Sequence, residues 1–244
     1  MQIPKPLSLS PARFEPCLTF APLAWLKLLY YCHSGDTEIG GFGISGQHDL
    51  LYVEDFVTVK QQVTHVTVSF LDDAVADHFD TCVENGLSPE RCGRLWIHTH
   101  PGDSAHPSSI DEATFARSFG ACDWAVMMIL ARTGQTYARL AFHTGPKASF
   151  EIPVCVDWSA WPEAVEHAQQ PLQQCTAHWP AEYAANIQKV TPLHLPAFGD
   201  TAGPGSAKSP WFENGPWFLP LDAQVSDHYP EDLHEPHDSR PRTA

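Results

Sequence analysis

Apolar positions along this chain fall into short blocks whose period switches between about 3.6 and 2. In "PLAWLKLLYYCHS", Pro22 to Ser34, the residues Leu23, Leu26, Leu29 and Tyr30 recur at helical spacing, and Pro22 suits a first turn. The glycines of "TEIGGFGISG" mark a strand start where neighbouring backbones come close. "LYVEDFVTVK" and "QVTHVTVSF" alternate or run in β-branched residues, which predicts two strands, the arms of a hairpin. "LDDAVADHFDTCVENGL" predicts a helix stopping at Asn85-Gly86. "RLWIHTH" predicts a strand, and "SSIDEATFARSF" a helix capped by Ser108 or Ser109. "WAVMMILAR" and "YARLAFH" predict strands around the turn "TGQT".

Helices and strands in this mixed order predict an α+β domain, a mixed β-sheet flanked by two or three helices, over residues 22–157. Residues 1–21 form a Pro-rich lead-in, and residues 158–244 a C-terminal extension, helical at first and then extended. More than half of the 22 prolines and half of the eight tryptophans lie beyond residue 160, and no period survives after Thr191. An arm of this composition, with the pairs Trp211-Phe212 and Trp217-Phe218, is expected to lie on a surface, either its own domain's or a partner's.

Composition narrows the function classes. A formal charge of -15, with only 14 Lys and Arg spread along the chain, argues against nucleic-acid binding and against anionic membrane surfaces. It suits a basic protein partner. Seven cysteines, an odd number with no CxxC pair, read as reduced thiols, with Cys92 and Cys122 as small buried apolar residues. "MQIPKPLSLSPARFEP" has four prolines and no apolar segment of a signal peptide, and no apolar run approaches the ~20 residues of a membrane span. The expected compartment is the cytoplasm.

The candidate chemistry lies in "RLWIHTHPGDSAHPSSID", Arg94 to Asp111. Residues i and i+2 of a strand project from one face, so His98 and His100 stand side by side, within reach of one ion at about 2.0–2.1 Å. After the loop, Asp111 in a helix's first turn can add a carboxylate. Two histidines, one carboxylate and a vacant fourth position make a catalytic rather than a structural zinc arrangement. The same letters also spell capping boxes, Ser108–Asp111 and Ser109–Glu112, which would account for the serines and acids without any metal. A hydrolase of this kind further needs a carboxylate that is not a ligand. Glu38, before the glycine-rich strand, is the candidate, and Glu54, Glu84 and Glu112 are open on similar grounds.

Together these residues resemble the JAMM (JAB/MPN domain) zinc metalloproteases. The family's pattern is an upstream glutamate, then H-[ST]-H-P, with seven residues, the proline included, between the second histidine and S-x-x-D. Glu38, His98-Thr99-His100-Pro101, residues 101–107 and Ser108-Ser109-Ile110-Asp111 match it throughout. The resemblance spans about residues 20–157 and implies a JAB/MPN-like, cytidine-deaminase-like core. It implies one zinc ion per chain, bound by His98, His100 and Asp111. Glu38 would serve as general base and then acid, and Ser108 as hydrogen-bond donor to the water or oxyanion. The implied activity is cleavage after the C-terminal tail of ubiquitin or a ubiquitin-like protein, the tail lying strand-like in a groove. Bacterial relatives process sulfur-carrier or ubiquitin-like proteins, often in defence systems. A conjugating- or activating-enzyme-like protein is the further partner such a pathway implies.

Two other readings stay open: a non-catalytic MPN-type scaffold, and a zinc hydrolase of small substrates. Deaminases of the H-x-E, P-C-x-x-C type are excluded because neither motif is present. Of the other histidines, His106 reads as a solvated loop residue, His65 and His78 as strand- and helix-surface residues, and His228, His234 and His237 as part of a soluble acidic tail. Trp96 reads as core, and Arg94 as a substrate contact or a surface ion pair.

Overall fold

In the computed structural model, residues 15–161 and 176–191 are described. The pairs Trp211-Phe212 and Trp217-Phe218 and the histidines of the tail lie outside them. The chain runs β1 (Leu18–Phe20), α1 (Pro22–His33), β2 (Ile39–Ser45), β3 (Tyr52–Val57), β4 (Gln61–Val63) and β5 (Val68–Phe70). It continues with α2 (Asp72–Glu84), α3 (Pro89–Cys92), β6 (Leu95–His100), α4 (Ser109–Phe119), β7 (Trp124–Ala131) and β8 (Thr136–Phe142). Then come β9 (Ala148–Glu151), β10 (Val154–Val156), a 3-10 turn at Trp158–Ala160, α5 (Trp179–Asn186) and β11 (Ile187–Lys189).

Eight strands form one curled mixed sheet in the order β10-β1-β3-β2-β6-β7-β8-β9, and β11-β4-β5 form a small second sheet. Helices flank the large sheet, so the expectation of a mixed α+β domain holds at that level. In its middle, β6 runs antiparallel to β2 and parallel to β7. These strands are buried on both faces, which explains why "WAVMMILA" is a continuous apolar run rather than an alternating one.

Strand parity sorts the core into two clusters. Leu95, Ile97, Val126, Met128 and Leu130 pack with Leu28 and Tyr31 of α1. Trp96, Ala125, Met127 and Ile129 pack on the other face with Phe115 and Phe119 of α4 and with Phe42 and Val75. Since successive side chains alternate, His98 shares the parity of Trp96 and so faces α4. The indole of Trp96 stacks on the His98 ring at 4.4 Å between centroids, which confirms Trp96 as a core residue.

Several expectations are corrected. The buried face of α1 is Ala24, Lys27, Leu28, Tyr31 and Cys32, not Leu23, Leu26, Leu29 and Tyr30, which are half-buried. Lys27 can occupy that face because its ammonium lies 3.2 Å from Glu182 of α5 and 3.6 Å from Asp55 of β3. "QVTHVTVSF" is not one hairpin arm: it folds back on itself as β4–β5, pairing Gln61 with Phe70 and Val63 with Val68. β1, inside the segment read as a lead-in, is parallel to both β10 and β3. His78 is buried in α2 rather than on the helix surface, and Cys122 is half-buried. Arg94 takes the ion-pair option, with Asp123 at 2.9 Å. His65 and His106 are exposed, as expected.

Past the 3-10 turn, the described part of the C-terminal extension returns to its own domain. β11 adds to β4 in parallel, and Asn186 Nδ2 donates to the Thr58 carbonyl at 3.0 Å. No helix among the described residues is long and apolar enough to cross a membrane.

Candidate metal centre

β6 supplies two of the donors. Thr99, between the histidines, points to the opposite face, where its hydroxyl accepts from the Ile39 N–H at 3.1 Å and ties the start of β2 to β6. The loop after His100 ends at α4, whose N-cap is Ser108. Ser108 Oγ accepts from the Asp111 N–H at 3.2 Å, and Asp111 Oδ2 accepts from the Ser108 N–H at 2.6 Å. The capping box anticipated at Ser108–Asp111 is therefore present, and it aims the Asp111 carboxylate at the histidines. Capping and ligand geometry are one arrangement rather than rivals. The Ser109–Glu112 alternative does not form. Ser109 is the first helical residue, and Glu112 instead makes a two-pronged ion pair with Arg139, both contacts at 2.7 Å.

The donor atoms of His98, His100 and Asp111 all lie within 4.8 Å of one another, and His98 and Asp111 are buried. Asp111 Oδ1 is 3.3 Å from His98 Nε2, and Oδ2 is 3.5 Å from His100 Nε2. Despite these short distances, neither Nε2 has a hydrogen-bond partner, and His98 Nδ1 has none either. Buried polar atoms without partners are costly, and here they converge on one point. The donor spacing is also that of a tetrahedral ion: bonds of about 2.0–2.1 Å place neighbouring ligand atoms about 3.3–3.5 Å apart. The residues fit a zinc ion.

Protonation agrees with this fit. His100 Nδ1 lies 2.9 Å from the Ser104 carbonyl, which can only accept, so Nδ1 carries the proton and Nε2 keeps its lone pair for the centre. Burial pushes His98 below its ordinary pKa and keeps its ring neutral, against the pull of Asp111. Burial also opposes ionisation of Asp111, but the closeness of the His100 and His98 rings and the hydrogen bond from the Ser108 N–H outweigh it and hold the carboxyl well below the usual carboxylate range. For His100, burial disfavours the charged ring but Asp111, Glu38 and the Ser104 carbonyl outweigh it and raise its pKa, so binding an ion has to displace a proton from Nε2.

Glu38 comes from the residue before β2. Its backbone N–H donates to the Thr64 carbonyl at 2.9 Å, and its Oε1 lies 3.8 Å from His100 Nε2. It is the acid brought to the centre by an observed contact. Glu54 instead pairs with Arg91, and Glu112 with Arg139. Burial pushes Glu38 up to about 8, with the Asp111 charge raising it further and His100 opposing. A carboxyl poised near neutrality is suited to taking and returning a proton.

One positioning residue was not anticipated. Gln61, fully buried, accepts from the Gly40 N–H at 2.8 Å through Oε1 and donates Nε2 to the carbonyls of Gly40 and Val59. β3 pairs with β2 only from Phe42 onward, so Gly40 lacks a strand partner there and the Gln61 amide takes its place. Gly40 has to be glycine, because a Cβ would come within 2.9 Å of Val68 Cγ1 and 3.0 Å of Phe70 on β5. A glutamine in a short β-branched stretch carries no sequence signal for this role.

A second donor group among the described residues, His78, Cys82 and Cys92, is buried and could also hold a metal ion. No protein-family model matches the chain, and no curated protein matches it.

Proposed function

We propose that the chain is a zinc-dependent hydrolase of the JAMM type that cuts the isopeptide or peptide bond after the C-terminal tail of a ubiquitin-like protein. The observation that carries the reading is the convergence of unpartnered, buried Nε2 atoms of His98 and His100 on the Asp111 carboxylate, with Glu38 beside them and not among the ligands. His98, His100 and Asp111 would hold the ion. Zinc at such a site lowers the pKa of a water to about 7 and polarises a carbonyl. Glu38 accepts the proton of the attacking water at a carboxylate oxygen and delivers it to the leaving amine. Its place 3.8 Å from His100 Nε2 supports both halves of that transfer. Ser108 Oγ accepts from the Asp111 N–H, which leaves its own proton free to donate to negative charge developing on the scissile carbonyl.

The JAB/MPN resemblance of the motif supports the substrate class, and a formal charge of -15 suits a protein substrate better than nucleic acid. A conjugating- or activating-enzyme-like protein is the partner proposed beside the substrate. The test uses the zinc-loaded chain and a ubiquitin-like protein fused to, or conjugated with, a second protein. Cleavage directly after the tail is expected, with a loss of about 10²–10⁴-fold in Glu38→Gln. Cleavage that persists in Glu38→Gln or in His100→Ala ends the proposal.

A further inference from the structure

On the same helical side of the sheet as His98, but away from it, α2 carries His78 and Cys82 one turn apart, and the short α3 places Cys92 against them. All three are buried, and their donor atoms lie within 4.8 Å of one another. Cys82 Sγ is 3.9 Å from His78 Nδ1 and 3.7 Å from Nε2. A tetrahedral zinc ion bonded at about 2.3 Å to sulfur and 2.0–2.1 Å to nitrogen separates those two donors by about 3.6 Å, so little movement is needed.

The imidazole already has a tautomer suited to ligation. His78 Nε2 lies 3.1 Å from the Cys92 carbonyl, an acceptor only, so Nε2 carries the proton and Nδ1 offers the lone pair. A second nitrogen held by a backbone carbonyl is the arrangement that fixes a ligating histidine. The ring is also locked by stacking on Phe42 of β2, with centroids 4.7 Å apart and planes 8° apart. Burial lowers the pKa of His78 and so keeps the ring neutral.

We propose that His78, Cys82 and Cys92 form a second metal-binding site, with three protein ligands and selective for a thiophilic divalent ion such as zinc. Two thiolates cancel the ion's charge, so the loaded site is neutral and its burial among Ile44, Val57, Phe79 and Leu87 costs far less than that of a lone ion. The fourth ligand comes from solvent. A cavity of about 240 Å³, lined by Val57, Lys60, Asp77, His78 and Asn186 among others, reaches the histidine. The ion clips α2 to α3, directly before β6, and through the Phe42 stack to β2. It holds the two strands on which the first centre is built, without touching reacting atoms. Binding displaces the thiol protons. Occupancy therefore weakens as pH falls.

The two sites differ in sulfur, which makes them separable by spectroscopy whether or not the hydrolase reading stands. Metal-free full-length chain is titrated with cobalt(II). Two ions are expected to bind, and one of them to give a thiolate-to-cobalt charge-transfer band in the near ultraviolet. Cys82→Ser and Cys92→Ser should each abolish the band, while Cys17→Ser and His100→Ala retain it. Because a cysteine variant can fail for lack of folding, zinc K-edge absorption of His100→Ala, where only the second site is filled, gives an independent reading. Sulfur neighbours at about 2.3 Å are expected. A wild-type chain that binds cobalt with no sulfur band overturns the proposal. So does a band untouched by both Cys82→Ser and Cys92→Ser, or an absorption edge showing only nitrogen and oxygen.

Discussion

Replacing Glu38 by glutamine keeps the shape of the side chain and removes its charge, so it isolates what that charge costs the metal-free fold. Burial raises the carboxyl from its ordinary 4.5 to about 8, which means the folded state holds a proton the unfolded state has released. Below about pH 4.5 both states are protonated and Glu38 makes no pH-dependent contribution. Between 4.5 and 8 the unfolded state gains by ionising while the folded state does not, so stability falls as pH rises, and above 8 the loss levels off. At about 1.36 kcal/mol per pH unit the ceiling is between 4 and 5 kcal/mol. The nearby His100, which loses an attractive partner in the variant, brings the expected net difference down to about 2–3 kcal/mol. Urea unfolding of chelator-treated wild type and Glu38→Gln at pH 5 and pH 8 measures it. The variant is expected to match wild type near pH 5 and to exceed it at pH 8, with unchanged denaturant slopes. Titrating groups other than His100 and Asp111, which interact with Glu38, are common to both proteins and cancel in the difference. Zinc loading should shrink the gap, because the ion favours the ionised carboxylate. A difference that does not vary between pH 5 and 8 would refute the burial argument and with it the proton-carrying role.

Three further outcomes follow from named contacts. Ser108→Ala removes the acceptor for the Asp111 N–H, so thermal unfolding should register a loss of about 1 kcal/mol, and turnover should fall by about 10²–10³-fold. Gln61→Leu leaves the Gly40 N–H and carbonyl without partners; chemical denaturation should show a loss of about 2–4 kcal/mol, and kcat should drop because Glu38 loses its support two residues away. Lys27→Met removes the cation from Glu182 and Asp55, and since Glu182 keeps the Thr58 hydroxyl and Asp55 is half exposed and keeps the Phe56 N–H, the cost should be about 2 kcal/mol rather than the 3–5 of a fully buried pair; faster amide exchange over α5 and β11 is the readout.

The centre was legible because its information is local. Strand alternation places His98 and His100 on one face, and a capping box fixes Asp111 in a first turn, so both follow from spacings of two and three residues. The choice of Glu38 over Glu54 and Glu112 was not local. It depended on Arg91 and Arg139, distant in sequence, neutralising the rivals. The buried face of α1 does not follow from apolar spacing alone, because Lys27 is held in it by carboxylates from β3 and α5. The β4–β5 turn was missed because "QVTHVTVSF" lacks Gly, Asn or Pro; threonine side chains make the turn instead, with Thr64 and Thr67 hydroxyls 2.8 Å apart. Strands of three residues such as β1, β10 and β11 are too short to show a period and are recruited by pairing. His78 looked like a surface residue of an acidic helix because the chain that covers it, α3 and β2, is remote or too short to be read.

The proposed zinc centre is tested most directly by anomalous diffraction at the zinc edge from crystals of the full chain grown with the metal. The account predicts a peak bonded to Nε2 of His98 and His100 and to Asp111 at about 2.0–2.2 Å, one position open to solvent, and Glu38 near but not bound. A map with no peak there, or with those three side chains turned apart while zinc sits elsewhere, would contradict it.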